Sequence, residues 1–236
     1  MKLSILVPVY NEERTLEEVV RRVSAVPEPK EIIIVDDGSK DRSQEILRRL
    51  EQESDRANDP NNEIRVFFQP QNRGKGAAIK TALSHVTGEV VIIQDADLEY
   101  DPQDYPTLIA PIQSGLADVV YGTRFYGGGA HRVLFFWHYV GNQILTLISN
   151  MITNLNLSDM EVGYKVFRAE AIKTVDLKAQ RFGFEPEITV KLAKKRCRFY
   201  EVPISYHGRT YEEGKKITWK DGLAALYYLI RFRLSD

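Results

Sequence analysis

Hydrophobic and polar positions follow two alternating periods along the first half of the chain. Apolar runs predict strands at Leu3–Val9, Glu31–Val35, Ile64–Gln69 and Val90–Ile93. Between these runs the apolar residues recur three or four positions apart, which predicts amphipathic helices. Repeated strand–helix units imply right-handed crossovers. The pattern therefore predicts an α/β fold with a mainly parallel, twisted sheet flanked by helices.

Outside these units the pattern changes. The stretch Glu53–Glu63 is rich in Asp and Asn and predicts a surface excursion. In the second half, a strand is predicted at Tyr200–Tyr206, and long apolar helices are predicted from Val133 to Ile152 and from Trp219 to Arg233. Both helices carry aromatic residues and flanking cations, and so resemble amphipathic helices that lie at a membrane interface. The alternative is that they pack on each other or on a second subunit.

Composition sets limits on the class of protein. The 236 residues suffice for one large α/β domain or two small ones. A single cysteine, Cys197, excludes a disulfide within the chain and fits a reducing compartment. The formal charge of −1 argues against bulk binding of nucleic acid. We expect no signal peptide, because the start of the chain has too few apolar residues for one and is predicted as a strand. We expect no transmembrane helix, because no apolar run reaches about 18 residues.

An acidic cluster ends the fourth predicted strand, where Val90–Ile93 continues into Gln-Asp-Ala-Asp-Leu-Glu. Asp95 and Asp97 are two positions apart on an extended segment, and Glu99 follows closely. Carboxylate oxygens suit Mg²⁺ or Mn²⁺. Open α/β sheets bind ligands at the carboxyl ends of their strands. The sequence therefore predicts a metal and diphosphate site formed by Asp95, Asp97 and Glu99.

Three loops are expected to meet at this edge of the sheet: 10–12, 36–39 and 94–99. In the second loop, Asp37 either caps the following helix or accepts hydrogen bonds from a nucleobase. Gly74 and Gly76 permit close approach of the backbone to a ligand, and Lys75 between them adds a charge near a phosphate. This Gly-Lys-Gly turn does not match the P-loop pattern.

Five motifs in this order resemble those of the family 2 glycosyltransferases. They are Pro-Val-Tyr-Asn-Glu at 8–12, Val-Asp-Asp-Gly-Ser at 35–39, Asn-Arg-Gly-Lys-Gly at 72–76, Gln-Asp-Ala-Asp at 94–97 and Gly-Thr-Arg-Phe at 122–125. Within that family the chain is most similar to the dolichyl-phosphate mannose and glucose synthases and their bacterial polyprenyl-phosphate relatives. The resemblance extends from about Lys2 to Arg209.

The resemblance implies a GT-A fold and inverting transfer of one hexose from a nucleotide-diphosphate sugar. It implies a glycosyltransferase domain over 1–210, with a nucleotide-sugar half (1–125) and an acceptor half (126–210), and a mobile loop and amphipathic helix over 211–236. Carried over by position, the residues that hold the nucleoside are Pro8, Tyr10, Glu12 and Asp37. Lys75 would lie beside them, and Asp95 and Asp97 would bind metal and diphosphate, with Asp97 also catalytic. Glu99 stands where this branch usually has Gln.

Charge that develops on the leaving diphosphate calls for cations. Arg124 and Arg132 are the candidates, because Arg suits bidentate phosphate contacts; an exposed surface arginine is the alternative, especially for Arg132. Asp159 occupies the position of the family's general base. It would act as a base on a hydroxyl acceptor and only position a polyprenyl phosphate, which is already ionised near neutral pH. Glu161 is a weaker candidate or a solvated loop acid.

Two acids further along, Glu185 and Glu187, are expected to begin a helix and complement its dipole. The loop after Tyr206 resembles a mobile basic loop of the synthases, in which Arg209 and Lys215 would contact phosphates. These features predict a peripheral enzyme on the cytoplasmic, inner face of the membrane.

Three functions from different classes remain open at this point. The first is transfer of a hexose to a polyprenyl or dolichyl phosphate, with UDP-glucose or GDP-mannose as donor. The second is a family 2 transferase that acts on a hydroxyl acceptor in cell-wall or polysaccharide synthesis. The third is a nucleotide-binding module without catalysis, which the intact acidic cluster disfavours. The oligomeric state is not predicted.

Overall fold

The computed structural model describes residues 1–125, 132–133, 135–179, 183–209 and 219–235, with the backbone alone at 219–221. The strands are β1 (Leu3–Val9), β2 (Lys30–Asp36), β3 (Asn62–Phe68), β4 (Val90–Ile93), β5 (Val119–Thr123), β6 (Lys165–Arg168) and β7 (Phe199–Pro203). The helices are α1 (Leu16–Ser24), α2 (Ser43–Ala57), α3 (Lys75–Leu83), α4 (Tyr105–Gln113), α5 (Phe136–Thr153), α6 (Ala169–Lys173), α7 (Phe184–Lys194) and α8 (Trp219–Leu234).

These strands form one sheet in the order β3-β2-β1-β4-β6-β5-β7. Strands β1 to β4 pair in parallel, so their carboxyl ends lie at one edge. Every residue of β2 and β4 is buried, as expected for parallel strands covered on both faces. The predicted α/β architecture with a mainly parallel sheet is confirmed.

Strand β6 runs against its neighbours and pairs antiparallel with both β4 and β5. Because of this reversal, the amino end of β6 lies beside the carboxyl end of β4, where Ile92 pairs with Val166. The segment that precedes β6, residues 158–164, therefore reaches the same edge as the acidic cluster after β4. We refer to residues 158–164 as the carboxylate loop, and to Asp95, Asp97 and Glu99 as the acidic strand end.

Three predicted boundaries were wrong by three residues or more. The strand predicted at Tyr200–Tyr206 is β7, which already ends at Pro203. The surface excursion predicted at Glu53–Glu63 begins later, because α2 continues to Ala57 and ends where Asn58 adopts a left-handed conformation (φ 48°). Glu, Ser, Asp and Arg at 53–56 are compatible with a helix, whereas the Asn, Asp and Pro residues that break it start only at 58. The helix predicted from Val133 starts at Phe136, after an extended Phe135.

Helices α5 and α8 pack on each other and on α7. On their inner sides Ala225, Leu229 and Phe232 of α8 are buried. Their outer sides expose many large apolar residues, which we call the apolar face: Phe136, Trp137, Tyr139, Ile144, Leu147, Met151, Leu223, Tyr227, Ile230 and Leu234. Among the helices in the described ranges, none combines the length and hydropathy needed to cross a bilayer.

Candidate active site

The three predicted loops meet at the carboxyl edge of β1, β2 and β4. The backbone N–H of Asn11 donates to Ser39 Oγ (2.9 Å), and Thr15 Oγ1 donates to the carbonyl of Ala96 (2.7 Å). The first contact joins the loop after β1 to the loop after β2, and the second joins α1's start to the acidic strand end. Parallel pairing thus assembles one cleft rim from segments far apart in sequence.

Asp37 holds the glycine-rich turn. Its two carboxylate oxygens accept hydrogen bonds from the backbone N–H groups of Arg73 (2.8 Å) and Gly74 (2.7 Å). Gly74 begins α3 with φ 95°, a conformation that favours glycine. Asp37 does not cap the helix that follows it, α2. Asp41 does so instead, because it accepts a hydrogen bond from the N–H of Ser43 at the start of α2. A nucleobase contact by Asp37 remains a prediction, and its oxygens retain lone pairs for one.

Lys75 ties the acidic strand end to α7. Its ammonium lies 2.8 Å from Asp95 Oδ1 and 2.9 Å from Glu185 Oε1. Burial alone would lower the pKa of Lys75, but the carboxylates of Asp95 and Glu185 raise it well above its usual range. The lysine is therefore a permanent cation between two acids. Glu185 does begin a helix as predicted, yet its side chain also belongs to this ion-pair cluster.

Arg209 binds the rest of the acidic strand end. Its guanidinium lies 2.8 Å from Asp97 Oδ2, 3.5 Å from Glu99 Oε1 and 3.6 Å from Glu12 Oε2. Its backbone N–H also donates to Glu99 Oε1 (2.9 Å). Burial, followed by the negative charges of Asp95 and Glu99, raises the pKa of Asp97 to about 7. One arginine thus partly offsets a local excess of negative charge.

The acidic strand end fits a divalent cation by donor type and by charge. Its donors are carboxylate oxygens, which Mg²⁺ and Mn²⁺ prefer. The pKa of Asp97 is raised by burial and then by repulsion from Asp95 and Glu99, and a cation would relieve that repulsion. In the described part of the chain, no three acidic, histidine or cysteine side chains converge as a ready-made metal site. Metal binding by Asp95, Asp97 and Glu99 remains a prediction.

On the carboxylate loop, Asp159 is fully buried and paired with Arg124. The guanidinium donates to both of its oxygens, at 2.6 Å and 2.7 Å. Asn142 on α5 donates to Oδ1 as well (3.2 Å). The loop backbone is fixed from β7, where Glu201 accepts from the N–H groups of Ser158 (2.8 Å) and Asp159 (3.3 Å). Two of the three predicted catalytic residues, Arg124 and Asp159, therefore form one buried, bidentate ion pair.

Tyrosines join the carboxylate loop to the acidic strand end. The ring of Tyr206 lies under the Arg124 guanidinium (5.1 Å), and its hydroxyl donates to Glu99 Oε2 (3.0 Å). Tyr100 contacts the Tyr206 ring, and its hydroxyl accepts from the N–H of Gly163 (2.8 Å). A Cβ on Gly163 would lie 2.3 Å from Asp95 Oδ2. Glycine at 163 thus allows the two acidic segments to touch.

Glu161 differs from the other acids of the site. Its Oε1 is enclosed by protein and has no hydrogen-bond partner within the described residues. Burial, followed by the negative charge of Glu185, raises the pKa of Glu161 to about 7. Nearby, burial lowers the pKa of Lys165 to about 8, and its ammonium donates to the carbonyls of Met160 (2.9 Å) and Val162. Glu161 is not a solvated loop acid.

The remaining predicted residues lie around this core. Pro8, in β1, and Tyr10, just after it, are half-buried at the carboxyl edge. Arg132 donates through Nη1 to the carbonyl of Gly208 (2.8 Å), next to Arg209. Lys215 lies outside the described residues.

Several residues of the site were missed from sequence. Lys165 is in phase with the core residue Phe167 on β6, so alternation gave a signal for an inward-facing charge. Asn142 interrupts an apolar helix, which is a similar signal. The sequence carries no comparable signal for Tyr100, Tyr206 and Glu201, because their roles depend on contacts between distant segments.

Known proteins resemble the chain over most of its length. An undecaprenyl-phosphate 4-deoxy-4-formamido-L-arabinose transferase from Salmonella paratyphi A is 30% identical over 218 residues, which are 91% of this chain and 62% of that protein. The low-salt glycan biosynthesis hexosyltransferase Agl6 from Haloferax volcanii is 30% identical over 216 residues, 89% of this chain and 49% of the relative. The chain thus spans about half to two thirds of these relatives.

Solved structures agree on the fold. Glucosyl-3-phosphoglycerate synthase from Mycobacterium tuberculosis, in complex with uridine diphosphate, superposes with a TM-score of 0.73 at 18% identity, covering 98% of this chain and 80% of that one. The complex of the same enzyme with Mn²⁺, uridine diphosphate and phosphoglyceric acid has a TM-score of 0.72 at 20% identity, covering 99% of this chain and 78% of that one. The predicted GT-A fold is confirmed. The sequence profile described as Glycosyl transferase family 2 matches residues 4–176, most of the chain, which therefore belongs to this family.

Proposed function

We propose that the chain transfers one hexose, with inversion, from a nucleotide-diphosphate sugar to a polyprenyl phosphate. The observation that carries the proposal is the contact between the acidic strand end and the carboxylate loop, made through Tyr206, Tyr100 and Gly163. One segment offers carboxylates for a metal–diphosphate group, and the other a buried Asp159–Arg124 pair. Donor and acceptor would therefore meet between them.

In the proposed reaction an acceptor oxygen forms a bond to the anomeric carbon, while the bond from that carbon to the diphosphate oxygen breaks. A divalent cation held by Asp95, Asp97 and Glu99 would neutralise charge on the leaving diphosphate. Lys75 and Arg209 hold those carboxylates in place. Asp159 is fully buried, and the side chains of Asp95 and Asp97 are only 19% and 18% exposed. Limited access of water strengthens the electrostatic interactions of the site.

The state of Asp159 favours a phosphate acceptor. Arg124 and Asn142 already donate to its oxygens, so in this arrangement both oxygens are engaged by protein donors and not by an acceptor hydroxyl. A phosphate monoester needs no base, because its second ionisation has a pKa of about 6. A relative at 30% identity is described as acting with undecaprenyl phosphate. A hydroxyl acceptor would require Arg124 to release Asp159.

The apolar face supports a position at a membrane surface. Trp137 and Met151 on α5 are 78% and 77% exposed, and Tyr227 on α8 is 58% exposed. Aromatic and aliphatic side chains on one outer surface suit the interface of a bilayer. Flotation of the protein with liposomes of anionic and zwitterionic lipid tests this part; protein that remains at the bottom of the gradient contradicts it.

The transfer itself is tested with Mn²⁺, undecaprenyl phosphate and a panel of radiolabelled UDP- and GDP-sugars, by counting label extracted into organic solvent. UDP-glucose and GDP-mannose are the first donors to try. Asp97→Asn should lower transfer about 100-fold or more while circular dichroism stays unchanged. Asp176→Asn, which changes an exposed acid outside the site, should retain activity. Label found only in water-soluble products would move the acceptor to a hydroxyl compound or to water.

A further inference from the structure

Glu161 is an unusual acid among those of the candidate site. Asp95 and Glu185 share Lys75, Asp97 pairs with Arg209, and Asp159 pairs with Arg124. By contrast, the enclosed Oε1 of Glu161 has no hydrogen-bond partner in the part of the chain that the structure describes. An enclosed carboxylate oxygen without a partner costs free energy, so its presence calls for an explanation.

Glu161 is linked by charge to both halves of the site. It follows Asp159 by two residues on the carboxylate loop, and the charge that acts on it most strongly is that of Glu185, which shares Lys75 with Asp95. Under the proposed function, the transferred sugar is attached to the diphosphate on one side and attacked by the acceptor from the other. The sugar must therefore occupy the space that these two sides enclose.

The chemistry of the surroundings selects the kind of ligand group. The pKa of Glu161 is influenced by the charges of two acids, Glu185 and Asp159, and of two cations, Lys165 and Arg124. A phosphate oxygen would be repelled by Glu161 and cannot donate a hydrogen bond to it. A sugar hydroxyl can donate to a carboxylate, and can accept from a carboxyl group that holds its proton.

We infer that Glu161 is a specificity-determining residue that hydrogen-bonds a hydroxyl of the transferred sugar. This inference rests on the proposed function and deepens it, since it assigns recognition of the sugar to a residue separate from those predicted to bind nucleoside, diphosphate and acceptor. A site built to bond a hydroxyl rejects analogues that lack it.

The test compares binding of a nucleoside diphosphate with that of its sugar conjugate. The titrations use UDP and UDP-glucose, then GDP and GDP-mannose, each with Mn²⁺, on wild type, Glu161→Met and Glu161→Gln. For the pair that wild type binds, Glu161→Met should weaken the sugar conjugate roughly tenfold or more and leave the free diphosphate unchanged. Glu170→Gln, at an exposed acid on α6, is the matched control and should change neither.

A second measurement identifies the hydroxyl. Each monodeoxy analogue of the bound donor lacks one sugar hydroxyl. Wild type should bind one of these analogues as weakly as Glu161→Met binds the complete donor. Glu161→Met should bind that analogue no more weakly than it binds the complete donor. Equal weakening of diphosphate and conjugate, or no change in either, overturns the inference while the proposed function stands. If wild type binds neither pair, the proposed function fails and the inference falls with it.

Stability separates recognition from a structural role. Because Oε1 has no hydrogen-bond partner among the residues that the structure describes, Glu161→Met should melt at or above the wild-type temperature. A large fall in melting temperature for both variants would indicate that Glu161 supports the fold instead. Should the methionine variant not fold, the isosteric Glu161→Gln carries the binding comparison.

Discussion

The acidic strand end and the carboxylate loop lie at the same edge of the sheet, but they reach it by different means. Asp95 and Asp97 follow β4 directly, so parallel pairing with β1 places them. Asp159 is placed by side chains from three other segments, Arg124, Asn142 and Glu201. The first arrangement depends on the regular backbone of the sheet, and the second on individual side-chain contacts. Single substitutions should therefore disturb the carboxylate loop more than the acidic strand end.

The largest expected effect comes from breaking the ion pair of the carboxylate loop. Arg124→Met leaves the fully buried Asp159 without its bidentate partner and should lower the free energy of unfolding by about 3 kcal/mol. Urea denaturation measures the loss. Arg198→Met is the control: it breaks a similar pair with Asp118 in which the arginine is 53% exposed, and it should cost clearly less stability. Adding Asp159→Asn to Arg124→Met should recover part of the stability. If Arg124→Met lost no more stability than Arg198→Met, the contrast between the two regions would be contradicted.

A smaller effect, on pH dependence, should come from Glu161. The groups that face it are Glu185, Lys165, Arg124 and Asp159. Its pKa in the folded protein, about 7, lies above the ordinary 4.5, so the folded state holds the proton more tightly. Stability from this group is therefore full below about pH 4.5 and falls as pH rises towards 7, by about 3 kcal/mol.

Denaturation at pH 5 and pH 8 measures this change in the ligand-free protein. The wild type should lose more stability between the two pH values than Glu161→Met does. An identical pH dependence in the two proteins would show that Glu161 does not titrate in this range.

A third substitution acts where the two regions touch. Gly163→Ala would place a Cβ within 2.3 Å of Asp95 Oδ2 and 2.7 Å of the Tyr100 ring, so Asp95 must move. Transfer activity should fall about tenfold, since misplacement of a catalytic group by about 1 Å has large effects on rate. Gly141→Ala is the matched control, because nothing lies within 4 Å of its added Cβ on α5. It should keep full activity and gain up to about 1 kcal/mol of stability.

The smallest effect on stability is expected at the apolar face. Trp137→Ser and Met151→Ser change side chains that are 78% and 77% exposed, so stability should change by less than about 0.5 kcal/mol. Liposome flotation should fall markedly in the double variant. Leu116→Ser, at a 52% exposed leucine in the turn after α4, should leave flotation unchanged. Equal flotation of all variants would exclude the apolar face as the lipid contact.

The sequence supported prediction of the parallel half of the fold because its strands are apolar and its helices periodic. It placed Leu3–Val9 as a strand and the loops after β1, β2 and β4 at one edge, as observed. The end of α2 was missed because polar helix residues and polar loop residues have similar composition. Composition therefore gave no boundary before Asn58.

The candidate site was predictable only in part, for a related reason. Asp95, Asp97, Asp159 and Arg124 were named from motifs, but their partners were not. The pairing of Lys75 with Glu185 joins residues 110 positions apart, and Tyr206 meets Glu99 across 107. Such contacts depend on the order of strands in the sheet, in particular on the reversed β6, which no local pattern encodes.

Helix α5 has one side on the outer surface of the protein and the other against the candidate site. Its 18 residues extend about 27 Å, with Trp137 on the outer surface and Asn142 bonded to Asp159 on the inner side. If the apolar face rests on a membrane as proposed, one helix would carry both the lipid contact and a hydrogen bond to Asp159. The lipid composition of that membrane would then affect transfer activity as well as binding.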